Sequence, residues 1–102
     1  MSVDFLRKSH RVDLVGDVYF EHERMLKAAR WTDISTGGIY IQTKETLPVG
    51  DQVKLNIRLP GSEKYFKAAG IVRHRLRLVG MGLQFTHLHP DIKDTLKQLQ
   101  SV

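Results

Sequence analysis

The sequence predicts a mainly β protein, an antiparallel barrel or sandwich of six strands followed by one C-terminal helix. Three observations predict it: apolar and polar residues alternate over most of the chain, turn residues interrupt this alternation at short intervals, and the period changes after Pro90. With 102 residues, of which 41% are hydrophobic, the chain has room for a single domain with one core.

The alternation defines six strands, because side chains on a half-buried strand point in turn to the core and to solvent. Gly16 interrupts the apolar face of the first strand, as glycine does at a bulge or a barrel bend. Turn signals such as Pro60-Gly61-Ser62 separate the segments. The predicted strands are about 12–21, 24–32, 38–43, 53–59, 65–75 and 80–86.

The fifth strand and the C-terminal segment each have a predicted orientation. If alternate residues of the fifth strand from Ala68 to Val72 face the core, Arg73 and Arg75 face outward. After Pro90 the apolar residues recur at helical spacing, which predicts an amphipathic helix over about 90–101 that packs against the barrel. Residues 1–11 lack a consistent period and are predicted to be a mobile arm, followed by a single domain over 12–102.

Composition narrows the function classes. A formal net charge of +5 favours anionic partners, which include nucleic acid, an acidic lipid surface or a phosphorylated small molecule. The chain has no cysteine, no apolar run long enough to span a membrane and no secretory signal, so we expect a cytoplasmic protein.

The sequence contains few features that would indicate an enzymatic or metal-dependent function. Only His87 and His89 are locally paired, without an accompanying set of carboxylates, so we expect no metal site and no cofactor. No nucleophile–base motif and no phosphate-binding P-loop is recognisable, so we expect no catalysis.

Two clusters carry groups that suit a guanine nucleotide. The first is the segment Arg7-Lys8-Ser9-His10-Arg11, and the second is Asp33-Ile34-Ser35-Thr36-Gly37-Gly38, in the turn between strands two and three. A guanidinium can fork onto a phosphate or onto the O6 and N7 acceptors of guanine, whereas a carboxylate suits the adjacent N1–H and N2–H₂ donors. Glycines permit positive φ and close approach of a ligand. Each cluster also has a structural interpretation, as a solvated basic arm and as a turn held by its own side chains.

Taken together and in this order, the clusters resemble the signature of the PilZ domain family, R-x-x-x-R followed by [D/N]-x-S-x-x-G. Arg7 and Arg11 match the first element, and Asp33, Ser35 and Gly38 match the second. The segment from Gly80 to Phe85 is similar to the glycine-rich closing strand of that family, so the likeness covers almost the whole chain.

The resemblance implies a six-stranded antiparallel barrel that binds cyclic di-GMP and relays the signal to an effector protein, whose identity it leaves open. It assigns Arg7 and Arg11 to guanine edges and phosphates, Asp33 and Ser35 to a guanine, and Gly38 to the shape of the loop. Gly37 and Lys8 are secondary candidates. At the position of Lys8 many relatives carry another arginine; lysine keeps the positive charge but cannot make the bidentate contact of an arginine.

Three alternatives remain open on the residues alone. Arg73 is either a further ligand contact or a solvent-facing strand arginine, and Trp31 either borders the site or lies in the core or at the barrel rim. The whole domain could instead bind polynucleotides, with Tyr40 and Tyr65 stacking bases, although we consider this the weaker reading. It could also be an adaptor of the same fold that binds protein and no nucleotide.

Overall fold

The structure, a computed structural model, describes residues 15–100, with side chains through Gln98. It contains six strands, β1 (Gly16–His22), β2 (Met25–Ile34), β3 (Gly38–Gln42), β4 (Gln52–Ile57), β5 (Phe66–Leu76) and β6 (Gly80–Leu88), and then the helix α1 (Pro90–Gln100). The predicted arm over residues 1–11 and the predicted strand residues 12–14 lie outside the described residues.

The strands close into an antiparallel barrel in the order β1-β2-β3-β6-β5-β4. Closure comes from the pairing of β1 with β4, in which Val18 lies opposite Ile57 and Phe20 opposite Leu55. Both strands therefore have hydrogen-bonded neighbours on each side, which removes the exposed edges that a sandwich would leave. The six antiparallel strands and the C-terminal helix are confirmed, and of the two architectures that the alternation allowed, the barrel is the one formed.

The difference from the predicted strands that matters for the site lies at the end of β2. The prediction ended this strand at 32 and placed Asp33 in the following turn, but β2 continues to Ile34. The strand can continue because Asp33 pairs with Tyr40 and Ile34 with Ile39, beyond an irregularity between Trp31 and Asp33. The turn itself is therefore short, from Ser35 to Gly37.

The barrel interior holds one hydrophobic core, and Trp31 is its largest fully buried side chain. Its indole Nε1–H donates to the backbone carbonyl of Arg58 at 3.0 Å, so the polar atom of the ring is satisfied inside the core. Gly16 lies directly opposite on β1, and a Cβ there would stand 2.4 Å from Trp31 Nε1. Gly16 therefore makes room for the indole, and of the two predicted places for Trp31 the core is correct.

The helix contributes to the same core. Ile92 and Leu96 are fully buried and belong to the cluster formed by the barrel residues. Thr95 Oγ1 donates to the carbonyl of Asp91 at 2.8 Å, within the helix. The predicted helix and its packing on the barrel are thus observed. Among the described residues, no helix is long and apolar enough to cross a membrane.

A surface ion pair joins β1 to the end of β4, and it gives a prediction about stability. Arg58 Nη2 lies 2.6 Å from Asp17 Oδ2, with the two side chains 41% and 39% exposed. Because water and salt screen the pair, we expect Asp17→Asn to lower the free energy of unfolding by less than about 1 kcal/mol. Urea denaturation checks this, with Asp94→Asn on the exposed face of α1 as the control. A loss of several kcal/mol would contradict it.

Candidate functional site

Asp33 lies on the outer surface of the barrel because β2 contains a β-bulge. In a regular strand Asp33 would share the inward side of Trp31, two residues earlier, since side chains alternate. The register shift between Trp31 and Asp33 accommodates Thr32 as an extra residue, so Ile34 becomes the next buried side chain and Asp33 faces outward. The bulge re-aims this carboxylate, which the sequence alone did not indicate.

Tyr40 stands next to Asp33 on the same outer surface. The two residues are register partners, and the neighbours of Tyr40 on β3, Ile39 and Ile41, are both buried in the core. Partial burial and the negative charge of Asp33 raise the pKa of the Tyr40 phenol. The phenol therefore stays protonated at neutral pH and can both donate and accept a hydrogen bond.

The turn after β2 is held by its own hydrogen bonds. The backbone N–H of Ser35 donates to the carbonyl of Gly38 at 2.9 Å, and the N–H of Gly37 donates to Ser35 Oγ at 3.1 Å. The carbonyl of Gly37 accepts from the N–H of Phe85 at 2.9 Å, which fixes the turn to β6. Ser35 is fully buried, so its hydroxyl supports the turn, as the structural interpretation of this motif predicted.

Gly37 and Gly38 do not use the positive φ that glycine permits. The glycines with positive φ among the described residues are Gly50 and Gly61, which lie in other turns. Gly38 is a buried strand residue paired with Gln84, and a strand ladder requires extended backbone. Any role of Gly38 in shaping the site therefore comes from its place in the ladder.

Arg73 is connected to the strand pair of Gly38 by a hydrogen bond to Gln84. The Arg73 guanidinium Nε donates to Gln84 Oε1 at 2.9 Å, and Gln84 is the register partner of Gly38. Arg73 is exposed, so the prediction that it faces outward holds.

Arg75 differs from Arg73 in its surroundings. A register shift between Val72 and His74 changes the alternation of β5, and the register partner of Arg75 on β6 is the buried Met81. Its Nε donates to Thr46 Oγ1 at 3.0 Å, so Arg75 is engaged away from this row.

Sequence reasoning missed His74. The Tyr40 and His74 rings approach across β6, with centroids 6.4 Å apart, because Gly82 is the register partner of both residues. The glycine leaves no side chain between the two rings. The period-2 signal could not find His74, because the bulge in β5 is what turns it to this surface.

The outer surface of β2, β3, β6 and β5 thus carries a polar patch, which we call the polar row, and the structure brings the described site residues into it or beside it. Asp33, Tyr40 and His74 are aligned across the sheet through Gly82, and Gln84 lies beside them with its hydrogen-bonded Arg73, next to the Ser35–Gly37 turn. The other predicted site residues lie outside the described part of the chain: Arg7, Lys8 and Arg11. Within residues 15–100 no group of three potential metal ligands converges.

The fold and this row define a class of protein, a closed six-stranded barrel that displays polar groups on the outside of its strands. The family model described as PilZ domain matches residues 5–100, and the chain belongs to this family. No curated protein matches the chain.

The solved structures that are similar to it include two proteins. The Bacillus subtilis inhibitor of motility (MotI/DgrA) superposes with a TM-score of 0.79 at 24% identity, covering 93% of this chain and 49% of that one. The Borreliella burgdorferi PlzA protein, solved in complex with c-di-GMP, superposes with a TM-score of 0.68 at 11% identity, covering 98% of this chain and 38% of that one. The chain therefore spans less than half the length of either structure, and both likenesses concern the fold.

Proposed function

We propose that the chain is a non-catalytic receptor for cyclic di-GMP. The observation that carries the proposal is the outward Asp33 carboxylate beside the Ser35–Gly37 turn, in a PilZ domain whose sequence also contains Arg7-x-x-x-Arg11. Further support comes from PlzA, a protein of the same fold that was solved with this nucleotide.

Each group has a role in this proposal that follows from its chemistry. The Asp33 carboxylate accepts from the N1–H and N2–H₂ groups of one guanine, and the protonated Tyr40 phenol beside it offers a further hydrogen bond. The Ser35 hydroxyl is fully buried and accepts from the Gly37 N–H, so in this proposal it positions the turn beside the guanine. Arg7 and Arg11 fork onto guanine acceptors or phosphates, with Lys8 as an added charge.

The signal passes on, in this proposal, through the N-terminal segment. The two phosphate charges of the ligand draw Arg7, Lys8 and Arg11 to the polar row, so the segment is ordered over the barrel and presents a changed surface to an effector protein. Ordering a segment subtracts from the binding free energy, so we expect a micromolar or tighter dissociation constant, about −8 kcal/mol or more favourable.

The proposed site gives a direct prediction for single substitutions. We expect Arg11→Ala and Asp33→Ala each to weaken cyclic di-GMP binding by about 10- to 150-fold, since each removes a charge-assisted contact. Isothermal titration calorimetry measures the affinities, with Lys44→Ala in the exposed loop after β3 as the control. Binding of both site variants at the level of the unmodified chain would remove the proposed site.

The same titrations distinguish a dinucleotide receptor from a polynucleotide binder. A protein that neutralises many phosphates loses affinity steeply as salt rises, whereas a ligand with two phosphates gives a shallow dependence. We expect a shallow dependence for cyclic di-GMP and no displacement of the ligand by unlabelled RNA.

A further inference from the structure

The barrel carries a second distinct outer surface, which we call the tyrosine face. Directly opposed residues on neighbouring strands share one side of a sheet, so the register assigns its members. It consists of three rows across β2, β1, β4 and β5: Arg30, Asp17 and Arg58; then Ala28, Tyr19, Asn56 and Lys67; then Leu26, Glu21, Lys54 and Ala69.

An aromatic pair stands at the centre of this face. Tyr19 on β1 and Tyr65 in the loop before β5 have ring centroids 5.4 Å apart with planes inclined by 51°. The Arg58 guanidinium lies 5.8 Å from the centroid of the Tyr65 ring, and Asp17 holds it by the ion pair. The two tyrosines remain 38% and 40% exposed. Tyrosine and arginine are, with tryptophan, enriched at the energetic centres of protein interfaces.

A hollow lies on each side of the aromatic pair. One, of about 420 Å³, is lined by residues that include Asp17, Arg30 and Arg58. The other, of about 490 Å³, is lined by residues that include Leu26, Lys54 and Lys67. The face thus has a raised aromatic centre between two depressions, and the exposed Leu26 gives the second depression an apolar wall.

The charges of the face indicate what fits it. Arg30, Lys54 and Lys67 make no ion pair with any residue in the described range 15–100. These three cations lie at the rims of the two hollows, two of them beside the second. Carboxylates from another molecule would meet them with little rearrangement.

We propose that the tyrosine face docks an acidic segment of a partner protein, with apolar side chains against the tyrosines and Leu26 and carboxylates on Arg30, Lys54 and Lys67. A single-stranded nucleic acid fits less well, because its bases would have to stack on Tyr19 and Tyr65, whose rings already pack against each other. The Tyr65 ring is also already covered by Arg58. A second copy of the chain fits less well, because this face carries more cations than carboxylates and two copies of it would repel each other. The inference stands on different residues from the nucleotide proposal.

The test uses two synthetic peptides and the full chain labelled with ¹⁵N. One peptide alternates glutamate with leucine over twelve residues, and the other has glutamine in place of every glutamate. We expect the glutamate peptide to shift NMR signals of the tyrosine face, and the glutamine peptide to bind at least about 5-fold more weakly. Equal affinities, or shifts that avoid this face, overturn the proposal.

Substitutions complete the test. We expect the double variant Lys54→Gln/Lys67→Gln to lower the affinity for the glutamate peptide by about 3- to 10-fold. The double variant Tyr19→Ala/Tyr65→Ala should lower it by more than about 10-fold. The double variant Lys44→Gln/Lys93→Gln removes the same charge from exposed positions elsewhere and should change the affinity less than twofold. The proposal is overturned if this control loses as much affinity for the peptide as Lys54→Gln/Lys67→Gln does. It is also overturned if a twelve-nucleotide oligothymidylate binds the tyrosine face more tightly than the glutamate peptide, or if the chain self-associates through that face. A retained two-dimensional spectrum shows that each variant is folded.

Discussion

Replacing Trp31 by alanine is expected to lower the free energy of unfolding by about 3–5 kcal/mol, the largest single-residue effect on stability that the structure predicts. The indole is fully buried and fills the barrel between β1 and the core residues of the other strands. Its removal leaves a cavity and also leaves the carbonyl of Arg58 without the Nε1–H donor. Since a domain has about 5–15 kcal/mol of net stability, urea denaturation should show a large shift of the midpoint.

Two further variants separate the packing from the hydrogen bond. Trp31→Phe keeps part of the ring but loses the N–H donor, so we expect it to destabilise by less than alanine does. Gly16→Ala places a Cβ 2.4 Å from Trp31 Nε1, so it should destabilise the unmodified chain by about 1–3 kcal/mol. In a Trp31→Ala background the same Cβ has room, and its effect should nearly vanish. Additive effects of Gly16→Ala and Trp31→Ala would contradict the proposed packing.

The regular part of the fold could be predicted because it depends on alternation alone. In β4 the alternate residues Val53, Leu55 and Ile57 are all buried, as the polar residues between them indicated. The helix spacing of Ile92 and Leu96 was equally direct, and both are buried. What alternation did not decide was barrel against sandwich, because both bury one side of each strand and differ only in whether β1 pairs with β4.

The sequence proposed residues for the candidate site but did not indicate their geometry. Asp33 and Arg75 illustrate why, since a bulge changes which side of the strand the following residues face, and no residue type marks a bulge uniquely. The bulge in β2 turns Asp33 to the surface, whereas the one in β5 directs Arg75 to Thr46. Ser35 shows a second limit: the same Asp-x-Ser spacing serves a turn and a ligand, and here the hydroxyl holds the turn.

Combining the substitutions on the two sides of the proposed nucleotide site should give the largest loss of binding. We expect the double variant Arg11→Ala/Asp33→Ala to lower the affinity for cyclic di-GMP by about 10²- to 10⁴-fold, because two charge-assisted contacts of about 1.5–3 kcal/mol each are removed. In a calorimetric titration at micromolar concentrations the heat of binding should disappear. The matched control Lys44→Ala/Asp94→Ala also removes one charge of each sign from exposed positions and should bind as the unmodified chain does.

The comparison of the double variant with the two single variants tests how the ligand is held. If Arg11 and Asp33 contact separate atoms of the nucleotide, the two losses of binding free energy add to within about 0.5 kcal/mol. A double variant no weaker than Asp33→Ala alone would mean that Arg11 acts only through Asp33, as its ion-pair partner, and has no contact with the ligand of its own. A double variant that still binds within threefold of the unmodified chain would contradict the site itself, because neither the leading arginine nor the outward carboxylate of β2 would then carry binding energy.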